Sequence, residues 1–305
     1  MIGYLFVALA LLCGVIKGYC GKKSSGTLVH ASDAMLVNTV RMAACIMIGF
    51  AILAFGGELT ELAASPLLLL ISAASGIATA AFVVSWLISV RRGAYMMVDV
   101  FLLIGVVFPL LACRLIYDER ILPVQWLGIV LLCISGYVIC TYNVSIKGKM
   151  SLGSFAVLAL CALSNGMADL SQKIFVREIE SGSIAVFNFY TYAFAALTLM
   201  ICFFVFRRRE RRTQELKRPR EIIMPIIVYV GVMAICLFMN SYFKTAAAAH
   251  LDAVQIYPLS QGGAVILSMA MSAICFKERI NLRCTLGVAL SFVALILINL
   301  LPEYI

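Results

Sequence analysis

Ten mostly apolar runs, each close to twenty residues or longer, follow one another along this chain of 305 residues. They are Ile2–Cys20, Asp33–Phe55, Pro66–Val90, Gly93–Ile116, Ile121–Tyr142, Leu152–Ile174, Ser183–Phe206, Ile222–Phe243, Ala249–Phe276 and Leu282–Leu301. About 20 apolar residues carry an α-helix across roughly 30 Å of hydrocarbon. In lipid only helices or closed barrels satisfy every backbone polar group, and these runs are too long for barrel strands. The pattern predicts an all-α polytopic membrane protein with ten transmembrane helices. Composition points the same way: 63% of residues are hydrophobic and 13% charged, against about 45–50% and about 25% in soluble domains. The surplus faces lipid, and a cell membrane (plasma or inner) is the expected location. The first run lacks a basic leader and is one of many, so it reads as a membrane helix rather than a cleaved signal.

Several function classes find no support in the residues. Eleven cysteines are scattered without a C-x-x-C pair, and His30 and His250 are the only histidines. This predicts no metal site, no disulfide framework and no cofactor. Nothing reads as a nucleophile elbow, a Walker loop or a dinucleotide fingerprint. A membrane-embedded enzyme or lipid-handling protein would need catalytic groups clustered at one interface, and the polar residues are dispersed.

The chain repeats itself. "YDERILPVQWLG" (117–128) aligns without a gap on "FKERINLRCTLG" (276–287), matching Glu119, Arg120, Ile121, Leu127 and Gly128 to Glu278, Arg279, Ile280, Leu286 and Gly287. Earlier in the halves, Gly3, Val7, Lys23, Asn38 and Ala43 match Gly153, Val157, Lys173, Asn188 and Ala193. The reading is a duplication into residues 1–146 and 147–305, five helices each, within one membrane domain. An odd number of spans forces the second copy in upside down. Inverted repeats of this kind recur among secondary transporters, where the halves exchange roles. The "LG" of each phrase is expected to let the fifth and tenth helices pack closely, while Glu119 and Glu278 cap helix ends or reach water.

Ten short helices, Glu119 with Gly128, Glu278 with Gly287, Arg41 in "NTVRMAA" and the segment "YPLSQGGAVILSMAMSAICFKER" resemble the EamA-like branch of the drug/metabolite transporter superfamily. The resemblance spans essentially the whole chain. It implies a central cavity between helices 1–4 and 6–9, with helices 5 and 10 at the periphery. It also implies a small-molecule substrate such as an amino acid, a nucleotide sugar or an amine. The chain departs from the pattern at Asp99, which aligns with Pro258.

Ionisable residues within membrane spans are costly and mark functional positions by default. Asp99, with Tyr95 one turn earlier, is the leading candidate for the substrate site. Asn165, Asp169 and Gln172 share one face of the sixth span. Asn38 and Arg41 share a face of the second, and Asn188 and Tyr192 share one of the seventh. Gln255, Tyr257 and Gln261 complete the set in the ninth. Asp99 opposed by Arg41 suggests a mixed-charge cavity suited to a zwitterion. An alternative aromatic cage of Trp86, Tyr95, Tyr190 and Tyr257 would suit a cationic amine such as choline. Lys17 either places a cation in the cavity or, as the favoured expectation, snorkels to the surface beside Lys22 and Lys23, and "GVIKG" (14–18) is expected to pack against another helix of the same chain.

The net charge of +9 gathers in "RRRERRTQELKRPRE" (207–221). Beside a membrane span this marks a cytoplasmic loop rather than a nucleic-acid site. Most Lys and Arg fall on that face. The other face has Arg114, Arg120, Lys173, Arg177 and Lys244, which places both termini outside, whereas resembling transporters have cytoplasmic termini. The expectation is an alternating-access carrier of a small polar metabolite, monomer or homodimer, with a proton or sodium ion as candidate coupling partner.

Overall fold

A computed structural model describes residues 1–25, 31–57, 59–92, 95–147, 152–179, 182–212, 223–276 and 282–299. Among these there are no strands. The helices are α1 (Ile2–Ser25), α2 (Ala31–Gly56), α3 (Pro66–Arg92), α4 (Tyr95–Gly105), α5 (Val107–Tyr117) and α6 (Pro123–Lys147) in the first half. The second half has α7 (Leu152–Glu178), α8 (Ile184–Arg212), α9 (Ile223–Ala248), α10 (Ala253–Phe276) and α11 (Leu282–Asn299). Seven helices among the described residues are long and apolar enough to cross a membrane; Phe101–Tyr117, Pro123–Val138 and Thr285–Asn299 are shorter apolar stretches.

Large apolar side chains such as Leu12, Met47, Phe50, Leu70, Ile201 and Ile235 are exposed, while Asn38, Ser72, Asn188, Thr245 and Ser291 are fully buried. This polar-inside pattern is that of an integral membrane protein, where lipid supplies the apolar surroundings.

Two expected boundaries change for physical reasons. The span expected at Gly93–Ile116 is two helices, α4 and α5, meeting at Val106. Pro109 has no N–H for the Gly105 carbonyl four residues back, and its ring crowds that carbonyl. The eighth span, expected to end at Phe243, continues as α9 to Ala248. "KTAAAA" is rich in the best helix former, so Lys244 lies inside the bundle and not in a loop.

Every helix makes its most extensive contact with a helix of the other half: α1 with α9, α2 with α8, α3 with α7, and α6 with α11, while α4 and α5 lie on α7 and α10 on α1. Glycines set the tightest approaches. A Cβ on Gly76 of α3 would lie 2.6 Å from the Thr191 carbonyl oxygen and 2.9 Å from the Ala195 nitrogen, both backbone atoms of α8. A Cβ on Gly128 would lie 2.6 Å from Ile298 Cγ1 and 3.0 Å from the Ala294 carbonyl oxygen of α11. Opposite, the Ser135 hydroxyl donates to the Gly287 carbonyl at 2.6 Å and lies 2.5 Å from Ser291 Oγ. The two "LG" glycines thus both serve the α6–α11 seam.

At the end of α5 the chain reverses through Asp118, whose φ of 52° and ψ of 33° are left-handed. Aspartate tolerates this region and a β-branched residue does not. Asp118→Gly is expected to leave the thermal unfolding midpoint in detergent unchanged or raised, whereas Asp118→Val should lower stability by about 1–2 kcal/mol. Equal midpoints for the two variants would contradict the strain argument.

Candidate functional site

Between α1, α3, α4, α7, α9 and α10 lies a cavity of about 90 Å³, room for several water-sized molecules. Its α1 wall is Ala10, Leu11, Gly14, Val15, Lys17 and Gly18. Phe82 and Trp86 of α3 and Leu102 of α4 close another side. The polar side is Asn165 of α7, Asn240 and Lys244 of α9, and Ser260, Gln261 and Ser268 of α10.

An ion pair stands at this polar wall. Lys244 Nζ donates to Asp169 Oδ1 at 2.6 Å, and both side chains are below a tenth exposed. Asn165 Nδ2 donates to the second carboxylate oxygen at 3.3 Å. The Tyr257 hydroxyl donates to the Asp169 carbonyl at 2.7 Å. The Lys244 ammonium lies 5.9 Å from the Tyr257 ring centroid and that of Lys17 5.8 Å from the Phe82 centroid. A buried ion pair repays its desolvation only when geometry and further hydrogen bonds are good, and Asp169 has both. Asn240 Nδ2 donates to the Ala10 carbonyl at 2.6 Å, tying α9 to α1. Beside it, a Cβ on Gly14 would lie 3.4 Å from Asn240 Nδ2, so "GVIKG" is a helix-packing surface within the chain that also borders the cavity.

The sequence candidates divide into three groups. Asn165, Asp169, Gln261 and Tyr257 come together, the first and third in the lining and the others in the ion-pair network. Asn38, Arg41, Asn188 and Tyr192 are buried at the α2–α8–α9 junction and do not line this cavity. There Asn38 and Asn188 make the same bond, each Nδ2 donating to its own helix four residues back, Ala34 at 2.8 Å and Ile184 at 3.1 Å. Ser241 donates to Asn188 Oδ1 at 2.7 Å and accepts from Gln172 at 3.2 Å, linking this junction toward the ion pair. Tyr192 donates to the Leu237 carbonyl at 3.2 Å, and Arg41 Nε has no hydrogen-bond partner. Gln255 sits apart at the start of α10, its side-chain oxygen accepting from the Asp252 N–H at 3.3 Å.

Tyr95 and Asp99 belong to α4, but their side chains lie outside the described residues, as does all of Glu278. The expected opposition of Asp99 to Arg41 thus lies outside the described residues. Of the aromatic cage, Tyr95 falls outside the described side chains, while Trp86 lines the cavity, the Tyr190 hydroxyl donates to the Leu62 carbonyl at 2.6 Å, and Tyr257 bonds Asp169. Residues that the sequence reading missed are Asn240, Lys244, Ser260 and Ser268, and Lys17 lines the cavity where snorkelling was favoured. For Lys17 a signal was available, since glycines on both sides of a lysine bring it against a neighbouring helix rather than to the surface.

Residues 152–300 match the family model described as "EamA-like transporter family". A solved structure titled "Crystal structure of protein" superposes with a TM-score of 0.72 at 15% identity, covering 99% of this chain and 98% of its own; the likeness is one of fold. No curated protein matches the chain.

Proposed function

We propose, from the match of residues 152–300 to the EamA-like transporter family, that the chain is a carrier that works by alternating access on a small zwitterion such as an amino acid. The observation that carries this reading is the buried Asp169–Lys244 pair, whose lysine lines the cavity together with Lys17. A solute with a carboxylate and an ammonium group can insert between the two: its carboxylate takes Lys244 and Lys17, its ammonium takes Asp169. Each buried charge then exchanges one partner for another and none is left bare, which keeps loading cheap. A permanent cation satisfies Asp169 but faces two ammonium groups, so it fits less well. A monocarboxylate strands Asp169 and needs a proton there.

The duplication is part of the proposal. In it α1, α2, α3, α4–α5 and α6 correspond to α7, α8, α9, α10 and α11. Exchanging the halves converts the α1–α9 contact into α7–α3, and returns α2–α8 and α6–α11 to themselves. The matching back-bonds of Asn38 and Asn188 fall on repeat-related positions. Packing of this form supports two inverted repeats of five membrane spans, residues 1–146 and 147–305, about an axis in the membrane plane. The orientation with termini outside gains support too, because Lys173 and Lys244 are buried and no longer count as loop charges against it.

Uptake into proteoliposomes tests the reading. Zwitterionic amino acids are expected to compete for transport at neutral pH, and choline and simple monocarboxylates to compete at least about tenfold less well, as expected when one charge pair is missing. Competition by choline with no effect of any amino acid would sink it.

A further inference from the structure

The helices that meet at Asp169 meet again one turn further on. Asp169 precedes Lys173 by four residues in α7, Lys244 precedes Ala248 by four in α9, and Ala253 precedes Tyr257 by four in α10, so each couple shares a helix face. At this second level Glu119, from the link between α5 and α6, binds three groups. It pairs with Lys173 Nζ at 3.3 Å, and accepts from Arg177 Nη2 at 3.3 Å and from the Ala253 N–H at 2.9 Å. Lys173 also donates to the carbonyls of Ala248 and Leu251, at 3.2 and 2.7 Å, across the α9–α10 turn. Arg177 pairs with Asp252 at 3.6 Å. Beyond this layer is an outer cavity of about 360 Å³, bordered by Lys173, Arg177, His250, Asp252 and Gln255. Lys173 borders the outer cavity and Lys244 the central one.

We propose that Glu119 is the bolt of a gate between these two cavities, closed in this structure and released when the carrier opens toward the outer one. The proposal rests on the carrier reading but not on the solute. Glu119 joins α7, α10 and the α5–α6 link through charge and hydrogen bonds, which water can replace one by one, beside an apolar cluster of Cys113, Leu170, Leu251 and Val254 that packs the same elements. Buried ion pairs contribute little net stability, and a two-state registry role is their best-attested use. Glu119 and Lys173 have side chains 8% and 2% exposed, whereas Arg177 is 46% exposed. Water therefore reaches the cluster first at Arg177, and Glu119 is the member whose charge holds the layer together.

The test reads accessibility and needs no solute. Ser260 borders the central cavity, and Ser260→Cys in sealed vesicles is labelled with a membrane-impermeant maleimide and read by peptide mass spectrometry. Asp252→Cys identifies which vesicle face leads to the outer cavity. From that face, Glu119→Gln is expected to raise the labelling rate of Ser260→Cys about tenfold, the population change for loss of one coupling of ordinary size. The amide keeps the bond from Ala253 and removes only the charge. Arg177→Gln should raise it by a smaller factor. A rate within twofold of the Glu119 chain overturns the proposal. If Glu119→Gln does not fold, Arg177→Cys and Asp252→Cys are joined by a short bifunctional thiol reagent. Labelling from the outer-cavity face should then fall to background while labelling from the opposite face persists; unchanged labelling from the first face overturns the proposal. Failure of the zwitterion assay leaves both readouts intact, so the two ideas fail separately.

Discussion

Lys244→Met is expected to be among the most damaging single substitutions in the chain. It removes the partner of a buried carboxylate while leaving Asp169 in place. Breaking a buried pair in this way costs about 3–5 kcal/mol, toward the lower figure here because the pair borders a cavity that water can enter. Methionine fills nearly the same volume, so the loss is electrostatic and not one of packing. The measurement is the thermal midpoint of the detergent-solubilised protein, followed by loss of the monodisperse species. The decisive companion is the double variant Lys244→Met/Asp169→Leu, which removes both charges and should recover most of the midpoint. Transport should not recover with it, because the groups proposed to receive the solute are gone. A double variant as unstable as Lys244→Met alone would show that the pair is not the source of the loss.

Gly76→Ala should rank next. The added methyl would meet two backbone atoms of α8 within 3 Å, and backbone cannot rotate out of the way. The helices must separate, at about 1–3 kcal/mol for overpacking. Gly231 of α9 is the control, since a Cβ there meets nothing within 4 Å. Gly231→Ala should be neutral or raise the midpoint, because alanine costs less backbone entropy in a helix. The two substitutions are chemically identical, so a difference between them reports only the α3–α8 approach. Equal effects would contradict a close α3–α8 approach at Gly76.

Much of the fold could be read from the residues, because crossing a bilayer depends on length and apolarity alone. The stripe Asn165–Asp169 was legible for the same kind of reason: helical periodicity puts the two on one face, and they do bond each other. Periodicity says nothing, however, about which neighbour that face meets. Asp169 finds its cation 75 residues away in Lys244, in a segment expected to be a loop between the eighth and ninth spans. Asn38, Arg41, Asn188 and Tyr192 share inward faces just as the cavity residues do, yet they fill a buried junction between helices. Their depth along the bundle depends on tilt and neighbour contacts that no single helix records. Pro109 is a different case. Its effect on α4 and α5 was present in the sequence, and only the strength of the surrounding hydropathy hid it.

The interleaving of the two halves bears on how the protein is made. Helices α1 to α6 leave the ribosome before any of the helices they grip most extensively exist. During synthesis the first half must wait in the bilayer with Asn38, Arg41 and the face of Gly76 uncovered. Final assembly is thus a late event, triggered when the second half arrives to fill those places. Two separately produced halves should need each other to mature, and a cell's quality control would see each alone as an orphan.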